Sequence, residues 1–267
     1  MLNKDTTLCI SLSARPSNIG TRFHNYLYEA LDLDYVYKAF APTDLAQAIA
    51  GVRGLGIRGC AVSMPFKEDV IALVDELDES ARAIDSVNTI VNTDGHLTAY
   101  NTDYLAIVRL LRSHEVAPGS VLVRGSGGMA KAVVAALRDT GFTDVTLIAR
   151  NEEKGRALAG LYGFDWAGEV GSLRADLIVN VTPLGMAGSE ADAQAFDDAT
   201  IQAASTVFDV VALPSETPLI VAARAAGRAV ITGAEVIAIQ AEEQFVLYTG
   251  VRPSPELVAA ASAFSRS

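Results

Sequence analysis

The sequence predicts an α/β protein of two domains, because short apolar strands alternate with helical segments in two successive series. The first series begins near Thr7 and the second at Val121. A glycine-rich turn joins the first strand of the second series to its helix, as in Rossmann-type domains. We therefore predict an N-terminal α/β domain followed by a Rossmann-type domain.

The first series reads as three strands, each followed by a helix. The predicted strands cover residues 7–12, 35–41 and 59–64, and the predicted helices cover residues 23–33, 44–54 and 67–77. The segment from Asn88 to Tyr100 breaks this rhythm, and its central Asp-Gly dipeptide predicts a β-hairpin. A helix over residues 104–114 and a Pro-Gly-Ser turn at 118–120 lead into the second series.

The second series predicts five strands with helices between them and two closing helices. The strands cover residues 121–124, 144–149, 176–181, 206–211 and 229–232. The helices cover residues 129–139, 152–162, 217–226, 234–248 and 254–265. This repeated alternation is typical of a parallel sheet covered by helices.

Composition and charge narrow the classes of function. Half of the 267 residues are hydrophobic and 20% are charged, with a mean hydropathy of +0.27, which indicates a globular protein. The net charge of −11 argues against nucleic acid or an anionic membrane surface as a partner. The chain has no signal-peptide layout and no apolar stretch near the ~18 residues of a membrane span, so we expect a cytoplasmic protein.

Cysteine and histidine usage gives no metal signal. Cys9 and Cys60 both lie in apolar strand-like runs, which predicts buried structural thiols. The three histidines, His24, His96 and His114, are far apart and lack ligand spacing, so we predict no metal site.

The glycine-rich turn predicts a dinucleotide site. Glycine allows a tight turn and lets backbone N–H groups approach a pyrophosphate at the helix N-terminus, while a small residue packs the helix on the strand. The candidate cofactor-binding residues of this turn are Gly125, Ser126, Gly127, Gly128, Met129 and Ala130.

The residues that follow the second strand of the second series, predicted over 144–149, indicate which dinucleotide binds. An NAD-binding protein would carry Asp or Glu there for the ribose 2′-hydroxyl, whereas this chain has Arg150 followed by Asn151. The arginine offers a planar fork for a 2′-phosphate, with Asn151 and Lys154 as helpers, which favours NADP. The alternative is an ordinary surface arginine near the start of a helix.

Polar residues in the first series suggest a site for a polyol. Lys67 follows a strand, while Asn88 and Asp103 flank the predicted hairpin among other amides and hydroxyls. A Lys–Asp pair can take the hydroxyl proton as a hydride leaves for a nicotinamide. Each residue alone could equally be a turn, a helix cap or an exposed lysine.

The order of these motifs resembles the shikimate dehydrogenase family over nearly the whole chain. The matching segments are Pro65-Phe66-Lys67, Val87-Asn88-Thr89, Asn101-Thr102-Asp103, Gly125–Lys131, Asn180–Met186, Thr217-Pro218-Leu219 and Gly233–Gln240. The resemblance implies catalysis by Lys67 and Asp103. It also implies substrate contacts from Ser63, Asn88 and Gln240, and cofactor contacts from Asn180, Thr182 and Gly233 in addition to the glycine turn.

The same resemblance implies an architecture and a reaction. Residues 1–104 and 236–267 would form the substrate-binding and catalytic domain, and residues 105–235 the NADP-binding domain. The partner would be a small cyclic hydroxy acid, shikimate or a close analogue, in the chorismate pathway of aromatic amino acid biosynthesis. We expect a monomer or a homodimer.

Several departures from the family pattern affect the substrate site. Asn18 and Gly20 stand where the family carries two serines that bind the substrate carboxylate, so Asn18 becomes a candidate substrate residue. Ser63 replaces a threonine, and Ala61 and Ala212 replace an asparagine and a tyrosine. The match is closest to the shikimate dehydrogenase-like branch, which predicts slow turnover of shikimate itself. The alternatives are a dinucleotide-binding metabolite sensor with vestigial catalysis, and another NADP enzyme with an amino-acid-like N-terminal domain.

Overall fold

A computed structural model describes residues 2–266 and divides the chain into two compact units. Unit one comprises Met1–Thr102 and Ala238–Ser267, and unit two comprises Asp103–Ile237. The C-terminal segment thus groups with the N-terminal one. The sequence predicts these boundaries after residues 104 and 235. The assignment of substrate to the first unit and of cofactor to the second stays a prediction.

Twelve strands and ten α-helices make up the described chain. The strands are β1 Thr7–Leu12, β2 Tyr35–Phe40, β3 Gly59–Val62, β4 Glu76–Leu77, β5 Thr89–Thr93, β6 His96–Tyr100, β7 Ser120–Arg124, β8 Asp144–Ile148, β9 Asp165–Ala167, β10 Leu177–Asn180, β11 Thr206–Asp209 and β12 Ala229–Thr232. The helices are α1 Asn18–Ala30, α2 Leu45–Gly54, α3 Glu79–Arg82, α4 Thr102–Ser113, α5 Gly128–Asp139, α6 Glu152–Tyr162, α7 Asp198–Ala203, α8 Pro218–Ala225, α9 Gly233–Thr249 and α10 Pro255–Arg266. Over residues 2–266, no helix combines the length and apolarity that crossing a membrane requires.

The sheet of unit one is mixed, in the order β2-β1-β3-β5-β6-β4. Side chains alternate between its faces, so Ile10 packs in one core with Cys60, and Cys9 packs in the other. Both cysteines are free and fully buried, which confirms the prediction of buried thiols. Burial raises the pKa of the Cys9 thiol to about 11, so this group stays protonated and acts as a small apolar side chain.

The sheet of unit two is parallel throughout, in the order β12-β11-β10-β7-β8-β9. The chain passes from β7 outward through β8 and β9, and then returns to β10 on the other side of β7. This reversal creates a switch point beside the carboxyl end of β7, where Rossmann folds bind dinucleotides. The predicted Rossmann-type domain is therefore confirmed as a fold.

The predicted helix over residues 67–77 is wrong. Lys67 lies in a turn, a 3₁₀ segment covers Asp69–Leu73, and the chain then extends into β4. The N–H of Asp75 donates to the carbonyl of Leu97 at 3.0 Å, and the Asp75 carboxylate accepts from the Leu97 N–H at 2.7 Å. Pairing of β4 with β6 therefore overrides the helical spacing of the apolar residues in this segment.

The other differences between the predicted and the observed elements are smaller. Helix α1 begins at Asn18 instead of residue 23. The sequence pattern missed its first turn because the buried side chains of this helix begin only at Phe23. The short elements β4, β9, α3 and α7 were not predicted. The hairpin is confirmed: Asp94 and Gly95, both with positive φ (52° and 88°), join β5 to β6 as a type I′ turn requires.

Two glycines of α6 provide a matched test of its packing. A Cβ on buried Gly155 would lie 2.3 Å from Trp166 Nε1, whereas a Cβ on exposed Gly160 would meet nothing within 4 Å. We expect Gly155→Ala to lower the free energy of unfolding by about 1–3 kcal/mol through overpacking. Gly160→Ala should raise it by about 0.5–1 kcal/mol, because alanine restricts the unfolded chain. Urea unfolding of both variants checks this, and equal effects would show that α6 does not press on Trp166.

Candidate active site

The glycine turn of unit two has one strained position and two open ones. Gly125 has a φ of +128°, and a Cβ there would lie 2.7 Å from Val181 Cγ2, so the position requires glycine. A Cβ on Gly127 or Gly128 would meet nothing within 4 Å. The backbone at these two residues is therefore open to a bulky group such as a pyrophosphate.

Helix α5 begins at this turn without a side-chain cap. Its N-cap residue is Gly127, no side chain accepts from its first N–H groups, and its first turn holds no acidic residue. Helices α6 and α8, by contrast, are capped by Asn151 and Thr217. The first N–H groups of α5 and its dipole are thus available to an anion. Ala130 is fully buried, as close packing at this position requires.

A cleft of about 930 Å³ opens beside the turn within unit two. It is lined by Arg124, Gly125, Ser126, Ile148, Ala149, Arg150, Asn151, Gly168, Glu169, Val170, Thr182, Pro183, Leu184, Glu190, Gln194, Phe196 and Asp197. Five predicted cofactor residues are therefore brought together: Gly125, Ser126, Arg150, Asn151 and Thr182. The other seven lie outside the lining: Gly127, Gly128, Met129, Ala130, Lys154, Asn180 and Gly233.

Arg124 is a cleft residue that sequence reasoning missed. It is the last residue of β7, and its Nη1 donates to the carbonyl of Ala195 while the guanidinium lies 6.0 Å from the Phe196 ring centre. Burial lowers the pKa of Arg124, and the positive charge of Arg150 lowers it further. Two guanidinium groups therefore share this cleft, although the whole chain carries a net charge of −11. The sequence signal for this residue is that an arginine directly precedes the glycine turn.

Asn151 and Asn180 hold the rim of the cleft in shape. The Asn151 side chain accepts from the N–H of Lys154 at 2.9 Å, so it caps α6. Asn180 is fully buried: its Nδ2 donates to Leu184 O and Asp209 Oδ1, and its Oδ1 accepts from the N–H and hydroxyl of Thr182. Both polar atoms of its side chain are thus hydrogen-bonded within the protein. The side chain of Asn180 therefore shapes the loop that carries Thr182, and direct contact of Asn180 with the cofactor stays a prediction.

Asp209 anchors the same loop from the next strand. Its carboxylate accepts from Asn180, from the N–H of Val211 at 3.0 Å and from the Thr217 hydroxyl at 2.6 Å. Burial raises its pKa, and these hydrogen bonds oppose the shift. Gly233 lies near this network, because a Cβ on it would come within 2.4 Å of the backbone of Val210 and Val211. Gly233 therefore permits a close backbone approach.

In unit one the predicted substrate residue Asn88 is the centre of a buried network. Its Oδ1 accepts from the Thr89 hydroxyl at 2.8 Å, from the Thr102 N–H at 2.8 Å and from the Thr102 hydroxyl at 3.2 Å. Asn88 is 1% exposed, and its Nδ2 has no partner among the residues that the structure describes. A buried amide nitrogen without an acceptor is costly, so this atom is a candidate donor to a ligand.

The backbone brings the lysine segment beside Asn88. The N–H of Val87 donates to the carbonyl of Lys67 at 2.9 Å, and the N–H of Val62 donates to the carbonyl of Asn88 at 2.8 Å. Lys67 is half-buried, and Ser63, one residue beyond β3, is exposed. Three of the predicted residues, Ser63, Lys67 and Asn88, thus belong to neighbouring segments of unit one.

The remaining predicted residues lie on helices. Asp103 is the second residue of α4, is 7% exposed and falls in unit two. Gln240 is half-buried on α9. Asn18 is exposed as the first residue of α1, and a Cβ on Gly20 would lie 3.6 Å from Tyr37 Oη, which is ordinary contact. In residues 2–266 no group of three or more His, Cys, Asp or Glu side chains could hold a metal ion.

Comparison with known proteins places these features in a family. Residues 17–90 match the model of the shikimate dehydrogenase substrate binding domain. A shikimate dehydrogenase-like protein of Haemophilus influenzae is 55% identical over 269 residues, covering 100% of this chain and 99% of the relative.

Solved structures give the same result. A shikimate 5-dehydrogenase-like protein matches with a TM-score of 0.99 and 56% identity, over 100% of both chains. The shikimate 5-dehydrogenase of Thermus thermophilus, solved in complex with NADP(H) and shikimate, matches with a TM-score of 0.86 and 28% identity, over 97% of this chain and 99% of that one.

Proposed function

Because this chain belongs to the shikimate dehydrogenase-like family, we propose that it is an NADP-dependent oxidoreductase. It interconverts a secondary alcohol and a ketone on a small cyclic hydroxy acid, shikimate or a close analogue. The observation that carries the proposal is the cleft beside the glycine turn, where Arg124 and Arg150 supply two guanidinium groups. A 2′-phosphorylated ribose requires such donors, and the Thermus thermophilus relative was solved with NADP(H).

The cofactor would use the open end of α5 as well. Its pyrophosphate would lie against the exposed backbone of Gly127 and Gly128, at the uncapped N-terminus of the helix. When bound, NADP supplies the hydride acceptor for alcohol oxidation.

Lys67 and Asp103 are the proposed catalytic pair. In the oxidation direction, Lys67 Nζ takes the hydroxyl proton while the hydride leaves the same carbinol carbon, so that a carbonyl forms. In the reduction direction the ammonium returns that proton to the carbonyl oxygen. The Asp103 carboxylate orients the lysine and balances its charge. The backbone bond from Val87 to Lys67 ties the lysine segment to the segment of Asn88.

Asn88 is the proposed substrate donor. Its Oδ1 is occupied by three donors, so its Nδ2 must meet an acceptor, such as a ring hydroxyl oxygen. Ser63 and Gln240 complete the proposed polar contacts. Asn18 and Gly20 supply no hydroxyl where the family carries two, so shikimate should turn over slowly.

An NADP-coupled screen of cyclic hydroxy acids, shikimate and quinate included, tests this function. Reduction of NADP with at least one compound is the expected result. A protein that binds NADP and one of these acids without turnover would instead be a metabolite sensor, the alternative that the absent serine pair favours.

The carboxylate site gives a sharper prediction. We expect Asn18→Ser with Gly20→Ser to raise kcat/KM for shikimate at least about tenfold, because each restored hydroxyl bond to an anion contributes about 1.5–3 kcal/mol. Helix α1 has room for the added side chain at position 20. Steady-state kinetics of both proteins checks this, with KM for NADP as an internal control.

Two results would contradict this account of the carboxylate site. Fast shikimate turnover by the parent protein is one, and unchanged kinetics of the double variant is the other. In either case Ser11, Ser13, Ser17 or Arg15 would supply the anion site instead. Of these residues, Ser13 already accepts from the N–H of Arg15 at 3.1 Å.

A further inference from the structure

Gln244 lies one helical turn after Gln240 on α9 and is 7% exposed. Its Nε2 donates to the Thr89 hydroxyl at 3.0 Å and to the Asn88 carbonyl at 3.4 Å. The Thr89 hydroxyl in turn donates to Asn88 Oδ1 at 2.8 Å. Gln244 therefore touches the proposed substrate residue twice, directly at its backbone and indirectly through Thr89.

The direction of these bonds is determined by the chemistry of the groups. The Thr102 N–H can only donate, so the Asn88 atom that faces it at 2.8 Å must be the oxygen. The Thr89 hydroxyl accepts a hydrogen bond from Gln244 Nε2, which leaves its own O–H to donate to Asn88 Oδ1. Within residues 2–266, the protein donors to this side chain thus converge on the oxygen, and Nδ2 is left for a ligand.

The imidazole of His24 lies beside Gln244, is 1% exposed and stacks on Tyr37 with ring centres 4.4 Å apart. Burial lowers the pKa of His24 to about 3, so this side chain is neutral in any ordinary assay. The ring therefore brings no charge to the Gln244 side chain.

We propose that Gln244 is a positioning residue for the substrate: with Thr89 it fixes the Asn88 amide so that this side chain presents only N–H donors. The inference rests on the proposed function, because it takes Asn88 as a substrate contact. It adds a requirement on the ligand. The ligand atom that meets Asn88 must be a hydrogen-bond acceptor, and an analogue with a donor alone at that point is excluded.

Kinetics of Gln244→Met tests the positioning role, because methionine keeps the length of the side chain but donates no hydrogen bond. We expect KM for the best hydroxy acid to rise about three- to tenfold, with a smaller change in kcat and unchanged KM for NADP. In an Asn88→Ala background the same substitution should change KM less than about twofold. Thr89→Val should resemble Gln244→Met, and Thr89→Ser, which keeps the hydroxyl, should resemble the parent.

An equal effect of Gln244→Met with and without Asn88 would overturn the positioning role, as would an unchanged KM. A second readout is independent of turnover: the side-chain amide resonances of Asn88, identified by their loss in Asn88→Ala. They should shift or broaden in Gln244→Met and Thr89→Val, and persist in Thr89→Ser. If no hydroxy acid is turned over, the proposed function fails, but these resonances still decide whether Gln244 orders Asn88.

Discussion

Lys67→Ala should lower kcat for NADP-linked oxidation of the best hydroxy acid by about 10²–10⁴, with a smaller change in KM. The reason is that alanine cannot take the hydroxyl proton as the hydride leaves, whereas the proposed contacts of Asn88 with the substrate would remain. Steady-state kinetics at saturating NADP measures the effect. Equal kcat values for variant and parent would remove the lysine from the mechanism.

Two further variants separate proton transfer from charge. Lys67→Arg keeps the positive charge, but a guanidinium does not lose its proton, so this variant should be about as slow as Lys67→Ala. Lys4→Ala removes a lysine that is exposed beside Asp5 and should leave kcat unchanged. A fast Lys67→Arg enzyme would indicate that charge alone is needed at this position.

Asp103→Asn should also reduce kcat strongly, because in the proposed catalytic pair it would remove the negative charge that balances the lysine. If the two residues act as a unit, the double variant should be little slower than the worse single one. Additive losses would mean that Lys67 and Asp103 act at separate steps.

Arg150→Ala should weaken NADP binding by about 1.5–3 kcal/mol, or roughly one to two decades in Kd, and change NAD binding little. The guanidinium lines the cleft and can contact a 2′-phosphate in bidentate fashion, and NAD has no such group. Calorimetry with both cofactors measures the difference. The parent protein should prefer NADP.

The matched control for this experiment is Arg156→Ala on α6. Arg156 pairs with Glu152 at 2.8 Å and lies outside the lining of the cleft, so its loss should leave the ratio of the two affinities unchanged. If Arg150→Ala weakened the binding of NADP and of NAD equally, this arginine would contact a part that both cofactors share. A parent protein that binds NAD more tightly than NADP would contradict the role of Arg150 in selecting NADP.

Features that depend on neighbouring residues were predictable from the sequence. The glycine turn and the Asp94-Gly95 hairpin are local patterns, because each needs a backbone conformation that few residue types adopt. Gln244 was not predictable: its partner Thr89 lies 155 residues away, and no spacing along one helix reveals that pairing. The predicted helix after Lys67 was wrong for the same reason, because hydrogen bonds to β6, which comes later in the chain, determine the conformation of this segment.

The grouping of the two ends of the chain in one unit affects the order in which each core can form during synthesis. Phe23 and Leu27 pack in one core with Phe245 and Tyr248, so the earliest and the latest parts of the chain depend on each other. Asp103–Ile237 is one uninterrupted stretch, and all of it has been translated before Phe245. The first segment made is thus among the last that can complete its core.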